Sequence, residues 1–133
     1  TFLYGFGHIA SENARIDTLN KVTSYLAPKG IFYFDVFSLK NVNEWGAIAD
    51  VNFDKKLMKD IGYQRGDVFY RKKGLKEIAF IHYFTMKEIE SLMKKCGLKI
   101  TNVRYIGYSK NPGCEVSNEE NGNILIEAKK LIS

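Results

Sequence analysis

The sequence predicts an α/β fold, and three observations carry that prediction. Residues 31–37 (IFYFDVF) are apolar on both faces except at Asp35, the pattern of a strand covered by helices on each side rather than of a sheet with one wet face. A helix with its own start and stop signals joins this strand to an earlier apolar run, and strand, helix, strand with short links is a crossover unit with parallel strands. A second helix, opening at Thr85, is followed by two more strands that read as an antiparallel terminal pair.

The 133 residues amount to one domain, and 45% hydrophobic with 26% charged residues is the balance of a folded globule. Twenty Lys and Arg against fifteen Asp and Glu give a net charge of +5. The basic residues are dispersed, with no block of five like charges. They read as a solvated surface, compatible with nucleic-acid binding without showing it. No apolar run approaches the roughly 20 residues that span a bilayer, so no membrane partner is expected. No basic segment precedes an apolar one, so no signal peptide is visible, and an opening directly on apolar residues after Thr1 reads as a chain that starts inside a domain. Cys96 and Cys114 are too few and too far apart for a disulfide framework, which makes a reducing cytoplasm the expected location.

Taken in order, residues 2–6 read as a short buried strand ending in a turn at Gly7. Ser11 can cap the next helix, with Glu12 in its first turn. Ile16, Leu19, Val22 or Thr23, and Leu26 make its apolar stripe, and Pro28 and Gly30 stop it. After the strand at 31–37, residues 39–76 are less periodic. Segments 51–53, 56–61 and 67–70 can be strands of a small added sheet, and 78–84 reads as another strand. Thr85 and Glu88 have the spacing of a capping box, with Phe84 and Ile89 as its hydrophobic staple. Ile89, Leu92, Met93 and Cys96 form the buried stripe of that helix, and Gly97 closes it. Strands follow at 100–108 and 124–128, separated by a polar loop of about a dozen residues.

In an open α/β sheet, ligands sit beyond the carboxyl ends of the strands. The two parallel strands expected here end at residues 5–9 and 35–38. Phe6, Gly7, His8, Asp35 and Ser38 therefore share one sheet edge. Gly7 suits either a close ligand approach or a plain turn. His8 can be a base, a substrate contact or a helix-flanking polar residue. A carboxylate at Asp35 costs desolvation unless water or a partner reaches it, so either a site role or a structural hydrogen bond accounts for it. His82 lies in an aromatic run and reads first as a satisfied core or sheet residue. Tyr63, Phe69, Tyr70, Phe80 and Tyr83, near Arg65, Arg71 and Lys72, can stack on nucleobases, wall a small-molecule pocket or fill core, core being favoured. Neither a phosphate-binding glycine loop, a zinc-ligand spacing nor a nucleophile elbow is present, so no metal is expected.

An ordered set of segments resembles a known family. Residues 3–9 (LYGFGHI), a helix ending in 25–30 (YLAPKG) and the strand 31–36 (IFYFDV) look like the second half of a class I S-adenosylmethionine-dependent methyltransferase. Phe84, Thr85, Glu88 and Ile89, then Cys96, Gly97 and Leu98, resemble that family's later helix. Residues 124–130 resemble its closing antiparallel strand. Lys29 stands where the family usually has glycine. The family's glycine-rich cofactor loop and ribose-binding acid are absent from these residues.

The resemblance implies a partial Rossmann-like sheet of parallel strands with a terminal antiparallel hairpin and helices packed on it. It implies one domain's C-terminal portion over 1–133, with residues 39–83 as an inserted substrate-side segment. The cofactor implied is S-adenosylmethionine, flanked by Phe6, Gly7, His8 and Ile9. His8 and Asp35 are then the polar groups nearest the reaction, and Tyr63, Arg65, Tyr70 and His82 the substrate-side residues. Methyl transfer depends chiefly on positioning and dehydration, with an optional base, so no universal catalytic signature is expected. A small-molecule acceptor is favoured. An RNA or tRNA methyltransferase and a non-catalytic remnant or binding module are the alternatives. Exposed apolar faces on such a portion imply a homo-dimer or poor solubility unless the missing half of the domain is supplied.

Overall fold

In the computed structural model the described residues are 5–45, 64–71, 74, 76 and 78–131; of Trp45, Tyr70, Arg71 and Ile78 only the backbone is described. A one-turn 3-10 helix at Phe6–His8 precedes α1 (Glu12–Tyr25), β1 (Ile31–Val36) and the short α2 (Val42–Trp45). Strands β2 (Asp67–Arg71) and β3 (Ile78–His82) form a hairpin, and α3 (Met86–Lys95) leads into β4 (Leu98–Ile106), β5 (Glu115–Val116) and β6 (Asn123–Lys130).

Four strands make one sheet in the order β1–β6–β4–β5, and every pairing in it is antiparallel. This corrects the parallel-strand expectation. The strand expected at 2–6 falls mostly on residues outside the described ones, and its described end, from Gly5 to His8, is a turn. The partner actually described beside β1 is the C-terminal strand β6, with Ile31 opposite Lys129 and Val36 opposite Ile124. The apolar character of 31–37 reports coverage and not strand direction, and that is why the period misled. The only parallel pairing among the described residues is an isolated bridge between Ser38 and Phe84. The terminal pair β4–β6 is antiparallel, with a register shift between Ile100 and Asn102. The segments 51–53 and 56–61 lie outside the described residues.

Alternation in β1 sorts its side chains. Phe32, Phe34 and Val36 are buried, while Ile31 and Tyr33 stay about 40% exposed on the other face. On the open face Tyr33 Oη donates to Glu127 at 2.8 Å and Thr101 Oγ1 donates to the same carboxylate at 2.5 Å. The core lies on the opposite face, where Leu19 of α1 and Ile89, Leu92 and Met93 of α3 meet Phe6, Phe34, Phe84, Ile124 and Ile126. Each fully buried side chain of this size stabilises by about 1.5–3 kcal/mol relative to its exposed form.

Both long helices start where the sequence places their caps. Ser11 Oγ accepts from the Ala14 amide at 3.2 Å, and Thr85 Oγ1 accepts from the Glu88 amide at 3.2 Å. Only half of the expected capping box forms, because the Glu88 carboxylate turns to His82 instead of the Thr85 amide. Gly97 closes α3 at φ +68, a left-handed conformation that glycine adopts without a Cβ clash. Cys96 is buried beneath this end, its thiol against the Ile16 carbonyl at 3.8 Å, whereas Cys114 is exposed. Among the described residues no helix is long and apolar enough to cross a membrane.

After α1 the chain reverses through Lys29 at φ +65, which costs a β-carbon-bearing residue about 1–2 kcal/mol. Lys29→Gly should therefore raise stability by about 0.5–1 kcal/mol after glycine's own entropic cost, read from the midpoint of urea unfolding.

Candidate functional site

Burial of Phe6 organises the turn at Phe6–His8. Its ring is fully buried, edge-on to Phe34 at 5.3 Å and stacked on Phe84 at 5.6 Å. The His8 amide donates to the Gly5 carbonyl at 3.1 Å and the Ile9 amide to the Phe6 carbonyl at 3.2 Å. With Phe6 drawn inward, His8 is left exposed two residues on. Its Nδ1 lies 2.9 Å from the Phe80 carbonyl oxygen. A carbonyl only accepts, so Nδ1 donates to it, and in the neutral ring the lone pair then lies on Nε2. That is the tautomer a proton acceptor needs.

Gly7 is buried, and a Cβ there would stand 3.0 Å from the His82 carbonyl oxygen and 3.5 Å from Ile81 Cγ1. Its missing side chain lets the turn lie against β3. Asp35 is 8% exposed in β1, opposite Leu125, and by strand alternation lies on the face away from Phe34. No described hydrogen bond joins Asp35 to His8.

Behind the turn lies a buried ionic network. His82 is fully buried; its Nδ1 is 2.5 Å from Asp67 Oδ1 and its Nε2 is 2.8 Å from Glu88 Oε1. Arg15, also fully buried, donates from Nη1 to the Ile9 carbonyl at 2.8 Å and from Nη2 to Gln64 Oε1. Gln64 in turn donates from its backbone amide to Asp67 Oδ2 at 2.8 Å and from Nε2 to Glu12 Oε2 at 2.9 Å. Lys95 closes the network on Glu12 at 2.8 Å. Burial pulls Arg15 below its ordinary value, against the attraction of Glu88, Asp67 and Glu12. For His82 burial is the largest single influence and favours the neutral ring. The bonds to Asp67 and Glu88 and the Glu88 charge outweigh burial and the opposing Arg15, so its pKa is raised. Among the described residues no group of three His, Cys, Asp or Glu is arranged to hold a metal ion.

The residues expected at the site are thus placed as follows. Phe6, Gly7, His8 and Ile9 share one turn, packed on β1 and β3. His82 lies beneath that turn with both nitrogens engaged, and Arg65 is exposed just before β2. Tyr63 and the Tyr70 side chain lie outside the described residues. Phe69 and Phe80 pack on each other at 5.5 Å, and Tyr83 packs on Phe37 at 5.8 Å. Sequence reasoning did not single out Arg15, Gln64, Asp67 and Glu88 as a unit. One signal was present: Arg15 falls one helical turn before Leu19, in line with the apolar stripe of α1.

A second polar arrangement sits where α2 meets the loop after β4. Glu44 Oε1 accepts from three consecutive backbone amides, Tyr108 at 3.0 Å, Ser109 at 3.0 Å and Lys110 at 2.9 Å. Three amides converging on one carboxylate form an anion nest. Burial pushes the Glu44 pKa up, but the bonds from Asn41, Lys110, Tyr108 and Ser109 prevail and hold it below the usual carboxylate value. The adjoining cleft, of ≈ 270 Å³, has Glu44, Lys110, Asn121 and Val116 in its lining.

Comparison with known proteins bears on the fold. No protein-family model matches the chain, and no curated protein matches it. Solved structures do. A SAM-dependent methyltransferase from Methanosarcina mazei superimposes with a TM-score of 0.74 at 18% identity, covering 99% of this chain and 58% of that one. An S-adenosylmethionine-dependent methyltransferase from Clostridium acetobutylicum gives 0.61 at 17% identity over 97% of this chain and 56% of its own. An amino pentose methyltransferase from Micromonospora echinaspora, solved with SAM bound, gives 0.50 at 12% identity over 96% of this chain and 55% of its own. The chain therefore has the fold of class I SAM-dependent methyltransferases, and it spans just over half the length of these neighbours.

Gly7→Ala should destabilise by about 1–3 kcal/mol in urea unfolding, because the new methyl presses on the His82 carbonyl in a packed interior. A group with a depressed folded pKa contributes stability above its unfolded value and loses it as pH falls through the folded one. Acidification below the ordinary carboxylate range should therefore release Glu44. Hydrogen exchange at the Tyr108, Ser109 and Lys110 amides should then rise before global unfolding, and Glu44→Gln should abolish that pH dependence.

Proposed function

We propose that this chain forms part of a methyltransferase that uses S-adenosylmethionine on a small-molecule acceptor. The likeness of 99% of the chain to the Methanosarcina enzyme carries the reading. When bound, that cofactor supplies an electrophilic methyl group. The described residues fit one flank of it. Of the segment from Phe6 to Ile9, Phe6 and Gly7 are buried, Ile9 is half-buried and the His8 imidazole is exposed, and no glycine-rich loop for the nucleoside end is among the described residues. His8, fixed as the Nδ1–H tautomer by the Phe80 carbonyl, serves as the base that takes a proton from the acceptor through Nε2. Asp35 serves as the second polar group at the end of β1. Residues 39–83 shape the acceptor pocket, with Arg65, Tyr63 and Tyr70 contributing to it and His82 supporting it from beneath.

The test uses the gene product that carries these residues. Calorimetry should detect binding of S-adenosylhomocysteine. His8→Ala should leave that binding intact while slowing methyl transfer to a panel of amine and hydroxyl acceptors by about 10²–10⁴-fold. Absence of S-adenosylhomocysteine binding would sink the reading. Transfer to tRNA alone, with binding that weakens steeply in salt, would replace the small-molecule acceptor with RNA.

A further inference from the structure

His82 carries a carboxylate on each ring nitrogen, Asp67 at 2.5 Å on Nδ1 and Glu88 at 2.8 Å on Nε2, with no solvent access to the ring. A neutral imidazole donates from one nitrogen and accepts at the other, whereas an ionised carboxylate only accepts. Between two such groups, the neutral ring makes one bond and sets a lone pair against a lone pair at the other. Only the imidazolium donates to both. The two carboxylates belong to different elements, Asp67 to the hairpin and Glu88 to α3, so the proton count of one ring decides whether both are bonded to it at once.

Two connections carry that tie to the turn bearing His8. Gly7 rests on the His82 carbonyl, where a Cβ would stand at 3.0 Å. Asp67 Oδ2 accepts from the Gln64 amide, Gln64 Oε1 accepts from Arg15, and Arg15 Nη1 donates to the Ile9 carbonyl at 2.8 Å. Both connections end within the segment from Gly7 to Ile9.

We propose that His82 is a proton-dependent positioning residue, clamping the β2–β3 hairpin to α3 as an imidazolium, holding the Gly7–Ile9 turn in place, and releasing it on losing its proton. The charged groups that face it among the described residues are Asp67 from β2, Glu88 from α3 and Arg15 from α1, with Glu12 of α1 and Lys95 of α3 behind Arg15. Arg15 opposes the proton and the two carboxylates hold it. Because the folded pKa is raised, the clamp is complete below the ordinary histidine range and is lost as pH rises through the folded value. Release therefore comes on the alkaline side.

This inference gives the site of the proposed function its regulation, and its test needs no methyl donor, so each can fail alone. Nitrogen NMR of the imidazole should show both ring nitrogens of His82 protonated at neutral pH. On raising the pH, the amide resonances of Gly7, His8 and Ile9 should shift with the same midpoint as the ring. Glu88→Gln keeps the helix and its Thr85 cap but removes one anion, and it should lower that midpoint by about one unit or more. Glu115→Gln, in β5 and outside the network, should change neither readout. A neutral His82 tautomer at neutral pH would overturn the proposal, and so would a ring that titrates while the three amides stay still.

Discussion

The rest of the described structure depends on the burial of Phe84. Its backbone joins it to the end of β1, donating to the Phe37 carbonyl and accepting from the Leu39 amide, each at 2.8 Å. Its ring stacks on Phe6, stands edge-on to His82 at 4.5 Å and lies under the Arg15 guanidinium at 5.6 Å. The next residue, Thr85, starts α3. One side chain thus fixes the relative places of the sheet end, the hairpin, the turn and two helices. The turn bearing His8 is anchored where Phe6 buries its ring against Phe34 and Phe84.

Around that aromatic joint the protein buries charges that would be costly alone. Arg15 and His82 are both without solvent exposure, and each is held by acceptors from elements other than its own. Removing one member of such a group leaves its partner buried and unmatched, which costs more than the pair contributes. Among the described residues Arg15 Nε has no hydrogen-bond partner. The network residues therefore behave as a unit, and that unit braces from behind the turn that Phe6 anchors.

The helices were legible because their signals are local. Ser11, Thr85 and Gly97 act within one turn of where they stand, and the stripe of Ile89, Leu92 and Met93 needs only its own period. Burial of Cys96 followed from the same stripe. The direction of β1 was not legible, since a run such as IFYFDVF records that both faces are covered and not which strand runs alongside. The role of Glu88 was misread for a related reason. The capping-box spacing is local, but His82, six residues earlier on another element, competes for the same carboxylate and wins by lying fully buried. At the candidate site, His8 and its neighbours were singled out as the end of an expected parallel strand, where the described residues form a 3-10 turn. The partner of His8, the Phe80 carbonyl 72 residues away, is a product of tertiary packing that no pattern in the chain announces.

The unequal cysteines give the molecule a built-in reporter of its own opening. The Cys96 thiol is sealed between α1 and α3, and burial raises its pKa against the pull of Lys95, while Cys114 stands in open loop. An alkylating reagent meets one sulfur in the native state and reaches the other only when the two helices part, so the second modification clocks the separation of the helices that carry Arg15 and Glu88.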